Sequence, residues 1–177
     1  MKNSRRDFLK KSVTGSAALM AGGILPAFSA KSYRNIQGAN DRVNVCIMGV
    51  NSRGMAHTRN FAGQTDCRVI HVCDVDTRAR EAAGNAVFEI TGNRPTGFAD
   101  IRKSLEDNSL DALVIAAPDH WHAPATLMGV KAGKHVYVEK PMTHNLAETL
   151  ELYNVAKSSS KTFAVGHQHR QTLSFIT

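Results

Sequence analysis

Val43-Asn44-Val45-Cys46-Ile47-Met48-Gly49-Val50-Asn51-Ser52-Arg53-Gly54 runs from an apolar, β-branched stretch straight into a turn bounded by glycines. The first six residues have the composition of a buried strand. The last six stand where a strand of an α/β sheet hands over to a helix. Gly49, Asn51 and Gly54 fall at the positions of G-x-G-x-x-G, with Asn51 in place of the middle glycine. The first glycine permits a tight turn and the last permits close helix–strand packing, while the helix start offers free N–H groups to a pyrophosphate. Asn51 tolerates the left-handed conformation better than most residues, so the turn survives with a tighter approach to phosphate.

Outward from that turn, short apolar runs alternate with helical stretches. The pattern predicts further strands over 69–73, 112–116, 135–138 and 162–165. Helices are predicted over 54–62, 77–90, 123–132 and 146–157, with a short one near 100–105. Residues 92–97 read as a Gly/Pro/Asn loop. Strands separated by helices imply an α/β fold with a doubly wound parallel sheet buried on both faces. No internal repeat or low-complexity segment interrupts it.

Residues 1–30 are set aside from this reading. Ser4-Arg5-Arg6-Asp7-Phe8-Leu9-Lys10 is a twin-arginine export pattern, and a short glycine-containing apolar run follows it over 13–28. Cleavage after Ser29 or Ala30 and a linker over 31–40 are expected, with periplasmic localisation and the twin-arginine translocase as a partner during export. Of the formal net charge of +7, the leader carries +4, leaving +3 over residues 31–177. With no Lys/Arg run, that balance gives no support to a nucleic-acid partner. Cys46, Cys67 and Cys73 show no C-x-x-C spacing, and no disulfide or metal site is expected.

The candidate chemistry clusters where strands end. Asp74 lies 25 residues beyond Gly49, a spacing at which a carboxylate bonds ribose hydroxyls and repels a 2′-phosphate, favouring NAD over NADP. Arg78 softens that preference if it reaches the same site, and Asp76 is the better candidate for capping the following helix. Pro118-Asp119-His120-Trp121-His122 follows the 112–116 strand. Trp121 reads either as core or as part of a cofactor-facing loop with Pro118. His120, His122 and His144 invite a zinc reading, but their spacing does not fit one helix face and no Cys or Glu completes the set. Val138-Glu139-Lys140-Pro141 ends the 135–138 strand. Pro141 fixes its own φ and pushes Lys140 out of the α region, so the lysine is either a solvated strand end or a donor to a substrate hydroxyl. Gly166-His167-Gln168-His169-Arg170 follows the last strand, with Gln168 able to bond a carboxamide or hydroxyl.

Taken in order, Gly49-x-Asn51-x-Arg53-Gly54, Pro118 to His122, Gly133 to Pro141 and Val165-Gly166-x-Gln168-x-Arg170 resemble the Gfo/Idh/MocA oxidoreductase family, and more narrowly its exported twin-arginine branch. The resemblance implies a nicotinamide-binding Rossmann domain over 41–170 and oxidation or reduction of a sugar or cyclitol hydroxyl. It also implies dinucleotide contact by Asn51, Ser52, Arg53 and Asp74. Pro118, His122 and Glu139 would lie on the nicotinamide side, Lys140 would be catalytic and Gln168 would sit by the nicotinamide. The family's C-terminal α/β domain, with its substrate contacts and oligomer sheet, is expected to lie outside these residues. Residues 171–177 are read as its start, and the chain is expected to be an N-terminal fragment, inactive alone and homo-oligomeric only at full length. Two rivals are carried forward. One is an NAD-dependent glycoside hydrolase of family 109, whose members resemble E-V-P where this chain has Glu139-Lys140-Pro141. The other is a non-catalytic nucleotide-binding module.

Overall fold

A computed structural model describes residues 42–167. The leader, the linker, Gln168 and residues 171–177 lie outside the described residues. The elements follow in the order β1 (Val43–Met48), α1 (Arg53–Gly63), β2 (Cys67–Cys73), α2 (Thr77–Thr91), β3 (Thr96–Phe98), α3 (Ile101–Leu105), β4 (Ala112–Ile115), a 3-10 turn (Asp119–Trp121), α4 (His122–Lys131), β5 (His135–Glu139), α5 (Leu146–Ser158) and β6 (Phe163–Gly166). The six strands are all parallel and lie in the order β3-β2-β1-β4-β5-β6. The chain therefore builds outward from β1 in one direction, returns to β4, and builds outward again. Ligands of such sheets bind outside the carboxyl ends at the point of reversal.

Alternation along β1 explains the two-sided core. Val45 and Ile47 join Val69, Val72 and Val114 beneath Ala62 of α1 and Ala83 and Val87 of α2. Cys46 and Met48 join Leu113, Ile115, Val136 and Val138 on the other face, with Ile101 and Ala125 above them. Strands buried on both faces are apolar at successive positions, which is why residues 45–48 of β1 and the whole of β4 read as unbroken runs. Cys46 and Cys73 are buried free thiols, and burial pushes both up to about 12, so they behave as small hydrophobes.

Helix starts follow their caps. Asp76 accepts from Arg78 N at 2.9 Å, Asp100 from Arg102 N at 3.0 Å, and Asn145 from Glu148 N at 3.0 Å. The cap of α2 is thus Asp76, which leaves Asp74 for other work.

β3 was not expected within the 92–97 loop. It has three residues, a central glycine and a single paired edge against β2, so it lacks the two-sided apolar run that marks its neighbours. Its pairing nevertheless fixes the site, since Asp74 N donates to Phe98 O at 3.1 Å. Among the described residues no helix is long and apolar enough to cross a membrane.

Candidate functional site

The turn after β1 is crowded backbone against backbone. Gly49 has φ +77°, and a Cβ placed there would lie 2.5 Å from the main chain of Ala117. A Cβ on Gly54 would fall inside the Gly49 carbonyl oxygen. Both glycines are therefore obligatory, as their positions implied. The left-handed residue among the non-glycines is not Asn51 but Ser52, with φ 45°. Asn51 instead accepts Ser52 N on its side-chain oxygen at 2.8 Å and Gly54 N on its main-chain oxygen at 2.9 Å. A serine in that region is strained and persists only where its surroundings over-determine it. Unlike α2, α3 and α5, helix α1 has no side-chain hydrogen bond at its N-cap. Its free N–H groups give the partial positive charge that suits a pyrophosphate.

Beside that turn lies an open cleft of about 620 Å³ over the ends of β1, β2 and β4, within the range of cofactor sites. Gly49, Asp74, Pro118 and Trp121, four residues singled out in the sequence, line it together. Trp121 is 43 % exposed and so is not core. Asp74 accepts Val50 N at 3.0 Å on one oxygen and Asp76 N at 3.0 Å on the other. The carboxylate thus braces the glycine turn while lining the cleft. Arg78 does not relieve this charge. Its side chain is 91 % exposed and pairs with Asp76 at 3.4 Å. Arg80, not singled out in the sequence, bonds the Asp74 carbonyl at 2.5 Å. The uncapped helix, the glycine cradle, the cleft-lining acid and the cleft volume together fit a dinucleotide of the NAD type.

A second cluster stands further along the same edge. Glu139 ends β5, is 6 % exposed, and accepts on Oε1 from Arg53 Nε at 3.0 Å and His57 Nε2 at 2.6 Å. The Tyr137 hydroxyl lies 3.5 Å from the same oxygen. Burial pushes the Glu139 carboxyl upward, but the hydrogen bonds and charges of His57 and Arg53 outweigh it and hold the group below its ordinary range. His57 and Tyr137 were not anticipated. A signal for His57 existed, because it follows Arg53 by four residues and so shares its helix face.

The remaining candidates separate. His122 is 3 % exposed, with Nδ1 2.5 Å from Pro141 O and Nε2 2.8 Å from Ala117 O. It ties the loop after β4 to the turn after β5 from beneath. Lys140 is exposed, precedes a cis peptide bond to Pro141, and has no hydrogen-bond partner among the described residues. Gln168 lies outside the described residues. His120 and His144 stand 3.9 and 4.0 Å from Asp119, and among the described residues no three His, Cys, Asp or Glu side chains are placed to hold a metal ion. Ser104 hydrogen-bonds His71 at 2.9 Å and Asp107 lies 3.3 Å from the other ring nitrogen, but Ser104 is fully buried and out of reach of substrate.

The family model described as the Gfo/Idh/MocA oxidoreductase family, NAD-binding Rossmann fold, matches residues 43–167. The chain is 31 % identical over 171 residues to glycosyl hydrolase family 109 protein 2 of Shewanella sp. strain ANA-3, across 89 % of this chain and 38 % of that protein. It superimposes on myo-inositol 2-dehydrogenase from Lactobacillus plantarum with TM-score 0.69 and 25 % identity, over 75 % of this chain and 38 % of that one. An NAD-binding protein from Listeria innocua matches with TM-score 0.62 and 30 % identity, over 73 % and 35 % of the two chains. The chain thus spans under two-fifths of the length of these relatives. It belongs to the Gfo/Idh/MocA family and carries that family's NAD-binding Rossmann domain.

Proposed function

We propose that this chain supplies the cofactor-binding half of an NAD-dependent oxidoreductase acting on a hydroxyl of a sugar or cyclitol. The observation that carries the reading is the cleft that joins Gly49, Asp74, Pro118 and Trp121, with Lys140 on the same sheet edge. The start of α1 offsets pyrophosphate charge, and Asp74 orients the ribose and disfavours a 2′-phosphate. The bound nicotinamide supplies the site that takes up or returns a hydride. Lys140 would donate a hydrogen bond to the substrate oxygen and steady the negative charge that grows there as the hydroxyl proton passes to solvent and the carbon-bound hydride to the nicotinamide, leaving a carbonyl. The inositol dehydrogenase likeness supports a cyclitol or sugar as substrate.

Titration calorimetry with NAD and NADP tests the cofactor reading. NAD is expected to bind at least about tenfold more tightly, a difference of ~1.4 kcal/mol. Binding of neither would sink it. A second reading, an NAD-dependent glycoside hydrolase, is favoured by the family 109 relative. Release of aryl glycosides by the whole protein, abolished when NAD is stripped, would select it over dehydrogenation.

The pattern at Ser4 to Lys10 supports export by the twin-arginine translocase to the periplasm, where scarce free cofactor favours a tightly held, internally recycled NAD. A reporter fused after residue 40 should be exported, and replacing Arg5 and Arg6 by Lys should stop it. A homo-oligomer of the whole protein is expected by light scattering.

A further inference from the structure

We propose that Glu139 is a positioning residue that clasps the pyrophosphate-binding turn to β5 and acts on the cofactor through Arg53, without touching the nicotinamide. The proposal rests on the NAD-binding reading and goes beyond it by assigning a device that holds the site in shape. β1 and β5 are not neighbours, since β4 lies between them. Side-chain hydrogen bonds link the helix that follows β1 to the end of β5. The link is made by Glu139 Oε1 with Arg53 Nε at 3.0 Å and His57 Nε2 at 2.6 Å, across 86 and 82 residues of sequence.

Three further observations give the clasp its direction. Neither Glu139 nor Arg53 lines the cleft beside the turn, and the Glu139 carboxyl carbon packs against β6, 3.2 Å from where a Cβ on Gly166 would lie. Arg53 is the first residue of α1 and directly follows strained Ser52. Anchoring Arg53 is therefore the contact best placed to over-determine that backbone. Arg53, on the first turn of the uncapped helix, has a side chain that is 49 % exposed and hydrogen-bonded through Nε alone, so its terminal nitrogens have no hydrogen-bond partner among the described residues. A guanidinium fixed there adds a full positive charge where the helix supplies only a partial one.

The test compares NAD with ADP-ribose, which has the same pyrophosphate and no nicotinamide. Glu139→Gln in the full chain keeps an acceptor for one donor and removes the charge. It should weaken both ligands by the same factor, roughly tenfold. Arg53→Ala should do likewise, and the double variant should add little to either single change. Weakening of NAD with ADP-ribose unchanged would place Glu139 on the nicotinamide and overturn the proposal, as would no change in either ligand. If Glu139→Gln lowers the unfolding midpoint enough to obscure binding, His57→Leu removes one donor to Glu139 at similar volume. Its equal loss of both ligands supports the clasp, and its silence toward both refutes it. A wild-type chain that binds neither ligand would instead overturn the NAD reading itself.

Discussion

The cleft at Asp74 and the cluster at Glu139 occupy one sheet edge, yet they are held by different forces. The cleft and the turn beside it are made of backbone, with glycines packed against neighbouring main chain, a strained serine and a carboxylate that takes one main-chain N–H on each oxygen. The cluster is made of side-chain charge, with one buried carboxylate oxygen shared by an arginine and a histidine. Steric fit is indifferent to pH and intolerant of volume. A charge cluster tolerates shape change but depends on protonation. The two halves of the site should therefore fail under different insults.

The largest effect is expected at the backbone-built half. Gly54→Ala has no room for its methyl and should cost about 3 kcal/mol of stability, with NAD binding lost; urea denaturation and calorimetry check it. An unchanged midpoint would show that the turn relaxes and that the cradle is softer than its geometry. Next comes Asp74→Ala, which strands two main-chain donors and removes the ribose acceptor. It should cost about 2 kcal/mol of NAD affinity and narrow the preference over NADP, read by titrating both ligands. Preference retained in the variant would move cofactor selection away from Asp74.

Acid should break the comparison from the other side. Glu139 is held below its ordinary range, so its contribution is present above that range and lost as pH falls through its folded value. His71 is also held low, chiefly by burial, with Asp107 partly opposing. It folds neutral, so stability begins to fall once pH drops below the ordinary imidazole range. The unfolding midpoint should thus decline in two stages on acidification. His71→Gln should flatten the upper stage by a few degrees and leave the lower one, while Glu139→Gln should do the reverse. The smallest effect is expected at Lys140. Lys140→Ala should leave stability within about 0.5 kcal/mol and ADP-ribose affinity unchanged, because the exposed lysine braces nothing among the described residues. A larger loss by either measurement would draw Lys140 into the cofactor-binding framework.

Legibility in the sequence follows the same division. The glycine turn, Asp74 and the alternation of strands and helices were readable, because each rests on local periodicity or spacing. β3 was not, since a three-residue edge strand with a central glycine takes its order from β2 rather than from its own composition. Trp121 and Pro118 were readable as loop residues, but their place in the same cleft as Gly49 was not. His57 was missed because its role depends on Glu139, 82 residues away, and Tyr137, on the same strand as Glu139, because strand periodicity reads it as a packing residue.

By itself the sequence determined the sheet, its two buried faces and the helix start beside Gly49, because apolar period and glycine sterics act over a few residues. The tertiary structure alone decided that Asp74 braces the turn while Asp76 caps α2, that His122 is a buried strut, and that Glu139 reaches across β4 to Arg53 and His57. Those assignments depend on which donors a buried acceptor meets, and in a doubly wound sheet the donors come from chain segments that pattern does not connect.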